Sequence, residues 1–87
     1  MRNNKMVEVI VGKKSLANYQ GYIILQMRKG VKSLTLRAFG KHISKAMILS
    51  DWIKKRFPKF QTRSIEEDRS KRGYIGIRIN LEASESG

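Results

Sequence analysis

Eighty-seven residues carry 19 Lys and Arg against 7 Asp and Glu, a formal net charge of +12, with no cysteine and one histidine. A chain this short closes one modest core, so residues 1–87 are expected to form a single domain that needs outside support. Disulfides and Cys-containing zinc sites are excluded as that support, which leaves a partner subunit.

Residues 1–59 hold 14 of the basic residues against only Glu8 and Asp51, while residues 60–87 balance five against five. The basic residues are interleaved with Val, Ile, Leu and aromatic residues, so the charge decorates a folded surface rather than a loose tail. So large an excess repels itself unless it meets an anionic polymer or surface, of which nucleic acid is the commonest. No apolar run approaches the ~20 residues that span a bilayer, and Met1 to Lys5 is not followed by a signal-peptide apolar segment. A soluble intracellular protein is expected.

In chain order, Val7 to Val11 is β-branched and short, and it stops at Gly12-Lys13-Lys14: a buried strand entering a basic loop. Ser15 is placed to cap a helix whose apolar face is Leu16, Tyr19, Ile23 and Met27, ending near Gly30. Gly21 inside that helix costs about 1 kcal/mol relative to Ala. It marks either close packing of another backbone or a tolerated surface position. Leu34, Leu36 and Ala38 alternate with Thr35, Arg37 and Phe39, the period of a strand with one buried face, until Gly40 turns the chain.

A second helix follows, with Ile43, Ala46, Met47, Ser50, Ile53 and Phe57 at helical spacing. Lys54, Lys55 and Arg56 fall in its last turn, where cations suit the helix dipole, and Pro58 ends it. Phe60 to Glu67 and Tyr74 to Leu81 then flank the turn-forming segment Asp68 to Gly73, a hairpin with a basic tip. Residues 1–6 and 83–87 read as frayed tails. This order gives an α+β domain, a βαβαββ chain with a four-stranded mixed sheet and two helices on one face.

Gly12-Lys13-Lys14-Ser15 is not a P-loop, because Val stands where the first Gly belongs and Lys14 separates Lys13 from Ser15. What remains is a turn, two ammonium groups and the free amides of a helix N-terminus, which suit a phosphate oxygen. Solvated loop lysines are the plainer reading. Ala38 to Lys45 offers a second basic turn. If the two preceding strands are parallel neighbours, Lys13, Lys14, Lys41 and Lys45 converge on one patch.

Arg69, Lys71 and Arg72 at the hairpin tip either track phosphates or serve solubility. Phe39 and Tyr74, on strands beside basic residues, are the candidates for stacking on an unpaired base, unless Phe39 packs beneath the hairpin or at a dimer seam. Glu66, Glu67 and Asp68 read as solvated. No paired carboxylates, metal cluster or nucleophile and base arrangement can be named, so neither an enzyme nor a cofactor or metal site is expected.

Two motifs carry a family resemblance: Val11-Gly12-Lys13-Lys14 with Asn18-Tyr19, and Ala38-x-Gly40-Lys41-x-Ile43-Ser44-Lys45-Ala46. Within the run Val9 to Phe57, which is most of the chain, the sequence resembles the Alba family of chromatin proteins. The resemblance implies a homodimer, or a heterodimer with a paralogue, whose two hairpin arms span duplex DNA. It implies sequence-independent binding of double-stranded DNA and RNA that coats and compacts archaeal chromatin, in the cytoplasm on the chromosome or nucleoid. The alternative is an RNA-binding subunit or chaperone of a ribonucleoprotein complex such as ribonuclease P.

Residue by residue, Lys13 and Lys14 match the family's central contacting lysines, and Lys13 the acetylated one. Asn18 and Lys41 match contact positions, and Phe57 matches an aromatic used where dimers meet along DNA. Phe39 departs from the family pattern, which has Arg there. No membrane or small-molecule partner is implied.

Overall fold

The computed structural model describes residues 6–84. The chain runs β1 (Met6–Val11), α1 (Leu16–Arg28), β2 (Ser33–Phe39), a 3₁₀ turn (Gly40–His42), α2 (Ile43–Arg56), β3 (Phe60–Arg69) and β4 (Ile75–Ala83). The sheet order is β1-β2-β4-β3, with β1 parallel to β2 and β4 antiparallel to both β2 and β3. This is the expected α+β fold: four mixed strands, two helices and the βαβαββ order.

The core forms where the alternating strand residues meet the helix stripes. Val9 and Val11 of β1, Leu34, Leu36 and Ala38 of β2, and Ile79 and Leu81 of β4 are buried with Tyr19 and Ile23 of α1 and Ala46, Leu49 and Ile53 of α2. Each fully buried Leu or Ile contributes roughly 1.5–3 kcal/mol. Helix α1 starts as its sequence predicts: Ser15 is the N-cap, and the Asn18 N–H donates to Ser15 Oγ at 3.2 Å. It closes with the Gly30 N–H on the Met27 carbonyl and the Val31 N–H on the Gln26 carbonyl, a Schellman turn.

Several boundaries differ from expectation. Met47, expected on the inward face of α2, is 45% exposed, and Leu49 is buried instead. The inward stripe is Ala46, Leu49, Ser50 and Ile53, and Met47 lies one residue, or about 100°, around the helix from Ala46. Phe57 is not helical. Its φ and ψ are −129° and 80°, because the Pro58 ring disfavours the α region for the residue before it. Met6 and Ala83, expected in frayed tails, are strand residues, and the Ala83 N–H donates to the Lys32 carbonyl. The remaining expected tail residues, 1–5 and 85–87, lie outside the described residues; Ser84 is described, and its N–H donates to the Lys59 carbonyl.

Gly21 is resolved in favour of the tolerated surface position, since a Cβ there would meet nothing within 4 Å. Gly21→Ala is therefore expected to stabilise the protein by about 1 kcal/mol through helix propensity alone, as read from denaturant unfolding.

The face away from the helices is a polar ladder. Thr35 Oγ1 donates to Asn80 Oδ1 at 2.8 Å, and Asn80 Nδ2 donates to Ser64 Oγ at 2.9 Å, so three strands are tied in one row. Arg37 donates from Nε to Asp68 Oδ2 at 2.7 Å and from Nη1 to Glu8 Oε2 at 3.0 Å. Asp68 is thus not the solvated carboxylate its acidic neighbours suggested. Its side chain is 12% exposed, and the Arg37 guanidinium holds its carboxyl below the usual carboxylate range. No helix among the described residues is long and apolar enough to cross a membrane.

Candidate functional site

The parallel pairing of β1 and β2 ends at Val11 beside Ala38, so the loop after β1 and the turn after β2 emerge side by side. Strand β4 enters the sheet at this same end, where Gly76 pairs with Phe39, so the hairpin tip projects from it too. Helices α1 and α2 also begin here, at Leu16 and Ile43, with no acidic residue in either first turn. Their positive dipole ends therefore add to the field of the side chains.

Lys13, Lys14 and Lys41 are exposed at this end, as are Arg69, Lys71 and Arg72 at the tip. Gly40 makes the second turn with φ +59°, a conformation that a side chain would strain. Asn18 is exposed in the first turn of α1 and shares a shallow groove with Lys14 and Tyr22. The tip is organised by Ser70, whose Oγ accepts the N–H groups of Arg72 and Tyr74 at 3.2 and 3.0 Å. Beyond the pairing of Gly76 with Phe39, only residues 69–75 extend past β2, which makes a short arm.

Lys45 is placed differently from the other three lysines. Its ammonium donates to the Gly12 carbonyl at 2.8 Å and to the Lys14 carbonyl at 2.7 Å, two of its three donors. It also lies 5.9 Å from the Tyr19 ring centroid. Tyr19 Oη in turn accepts the Gly12 N–H at 2.7 Å. The loop that carries Lys13 and Lys14 is therefore clamped from α2 by Lys45 and from α1 by Tyr19, and the two lysine side chains are left to solvent. Gly12 itself needs no glycine conformation, and a Cβ there would make only an ordinary 3.7 Å contact with Tyr19 Oη.

Tyr19→Phe tests the clamp without changing charge. It removes the acceptor of a partly buried amide, which costs about 1 kcal/mol. Faster hydrogen exchange at the Gly12 amide is expected. Polyanion affinity should fall about threefold while its salt dependence stays the same, since only preorganisation is lost.

Phe39 is half-buried and does not present a free ring. A Cβ on Gly76 would run into the Phe39 ring and the Ala38 carbonyl, so the ring lies over that glycine, and the Arg37 guanidinium sits 5.4 Å from its centroid. This corresponds to packing beneath the hairpin rather than to a stacking platform. Phe57 lies at the other end of the molecule, edge-on to Trp52 at 6.0 Å with the Arg56 guanidinium 4.8 Å from its centroid. It does not join the loop cluster. Sequence reading missed the roles of Tyr19, Lys45 and Ser70. The one signal for them was the position of Tyr19 and Lys45 inside the two motifs.

The comparisons agree with this fold. The Alba family model matches residues 7–69, from β1 through β3. A "DNA/RNA-binding protein Alba" from Nanoarchaeum equitans is 36% identical over 52 residues, which is 60% of this chain and 58% of that relative's length. Among solved structures, Alba from Thermoplasma volcanium superposes with a TM-score of 0.72 at 28% identity, over 86% of this chain and 98% of that one. The crystal structure of ALBA1 from Trypanosoma brucei gives a TM-score of 0.75 at 18% identity, over 90% of this chain and 70% of that one, and shares the fold.

Proposed function

This chain belongs to the Alba family, and from that membership we propose that it is a non-catalytic protein that binds double-stranded DNA or RNA through backbone phosphates with little sequence preference. The observation that carries the reading is the gathering of exposed cations and two helix N-termini at one end of the sheet. Ammonium and guanidinium groups without a shaped base-reading surface attract phosphate and carry no sequence information. The printed name of the Nanoarchaeum equitans relative, a DNA/RNA-binding protein, supports the same ligand class.

The binding unit is a homodimer that coats and compacts nucleic acid on the chromosome. Exposed apolar side chains on both helices support a partner chain: Tyr22 and Leu25 on α1, Met47 and Ile48 on α2. Lys13, an exposed ammonium at the centre of the cluster, is the residue whose acetylation would weaken binding by removing a charge. Lys14, Asn18 and Lys41 act beside it, with Arg69, Lys71 and Arg72 on the arm.

A dimer that neutralises roughly six to eight phosphates should show a log-log salt slope of about −5 to −7 on duplex DNA. Duplexes of unrelated sequence should bind within a few-fold of one another. A flat salt response, or strong preference for one short sequence, sinks the reading.

A further inference from the structure

The end of the molecule opposite the lysine loop is also strongly basic. Residues 28–32 and 54–59 carry seven of the nineteen Lys and Arg and no acid. Both helices finish here, and Arg28 and the basic last turn of α2 suit their negative dipole ends. That account does not extend to Lys32 and Lys59, which lie outside the helices.

Between these cations opens a pocket of about 460 Å³, within the range of small-ligand sites. Met27, Val31, Phe57 and Phe60 make its wall apolar, and Arg28, Lys32, Arg56 and Lys59 line it as exposed cations. The backbone offers little there. The N–H groups of Gly30, Val31, Phe57, Phe60 and Ala83 are all hydrogen-bonded within the chain. Recognition at this pole therefore rests on apolar contact and positive charge. That combination suits a flat aromatic group joined to phosphates.

We propose that this pole is a second nucleic-acid site that takes an unpaired nucleotide of a single strand, with the base in the pocket beside Phe57 and the adjoining phosphates on Arg28, Lys32, Arg56 and Lys59. The proposal rests on the reading of the chain as a nucleic-acid binder but not on the lysine loop. A duplex keeps its bases inside its stack and cannot fill the pocket. Apolar contact and charge, without a set of base-reading donors, make the site tolerant of sequence. Six residues of β1 separate the two poles, about 20 Å at strand rise. One chain thus holds a duplex at one end and an unpaired segment at the other, which suits junctions between the two.

The test uses the full chain with a short single-stranded RNA carrying a fluorescent adenine analogue, and a duplex of the same length. Arg56→Glu with Lys59→Glu is compared with Lys13→Glu with Lys14→Glu; all four positions are exposed. The far-pole variant should lose the base fluorescence change and about tenfold in single-strand affinity, with duplex affinity held within about threefold. The loop variant should do the reverse. The proposal is overturned if the far-pole variant leaves single-strand binding and base signal intact, or if it lowers both ligands equally. It is also overturned if an oligoglutamate of equal charge binds the pole as tightly as RNA. A change in oligomeric state without loss of the base signal overturns it too, and assigns the pole to a second copy of the chain. A loop variant with unchanged duplex binding would sink the loop site alone and leave the far-pole result standing.

Discussion

Lys13→Ala with Lys14→Ala is expected to lower duplex affinity about 10³-fold at 0.1 M salt, because a dimer loses four phosphate contacts, each worth roughly 0.9 decade of affinity per decade of salt. The slope should shallow from about −5 to −7 to about −2 to −4 by the same count. Unrelated sequences should suffer alike, since phosphate contacts carry no base information. Both side chains are exposed, so unfolding free energy should stay within about 0.5 kcal/mol. Titrations at several salt concentrations, paired with thermal melts, check both halves. A variant that binds as tightly as the parent reduces the loop to a solvated turn.

Gly76→Ala is expected to give a large stability loss, on the order of 3 kcal/mol. Its Cβ would collide with the Ala38 carbonyl and the Phe39 ring. A carbonyl inside a strand cannot swing away as a side-chain tip can. Gly76 also sits in one row with Phe39 and Asp68. Displacing the ring therefore disturbs the Arg37 guanidinium above it and its 2.7 Å bond to Asp68. The damage should reach function, because the hairpin arm continues directly from this row. Urea unfolding is the measurement, and an undiminished midpoint would refute the close approach. Phe39→Leu, which frees space over the glycine, should recover part of the loss in the double variant.

Much of the fold was legible because its signals are local. Val7 to Val11, the alternation through Leu34, Leu36 and Ala38, and Ser15 before an apolar period each fix one element within a few residues. The face of α2 was harder to read. Met47, Ile48 and Leu49 are consecutive apolar residues, so more than one stripe satisfies helical spacing until the sheet chooses Leu49. At the site, Lys13, Lys14 and Lys41 were readable as cations in turns after strands.

The roles of Lys45 and Asp68 were not readable, because each depends on a partner far along the chain, whereas packing of Phe39 beneath the hairpin stood among the readings of its sequence. Lys45 meets Gly12 across 33 positions and Arg37 meets Asp68 across 31. Such pairs exist only once strand order and register are set. Asp68 in particular follows Glu66 and Glu67 and looks solvated, yet register carries it to the row of Gly76, within reach of the Arg37 guanidinium. The placement of the Phe39 ring depends on the same glycine. The ring fills the space over it from the neighbouring strand.

The central claim, that one end of the sheet receives the duplex, is tested most directly by mapping amide chemical shifts of the isotope-labelled protein as a short DNA duplex is added. The largest changes are expected at the amides of residues 12–18 and 40–42, with a second group at the hairpin tip between Arg69 and Gly73. Little change is expected along the polar face that carries Thr35 and Asn80. Changes centred on that polar face, or on the pole around Lys32 and Lys59 with the lysine loop silent, would contradict it.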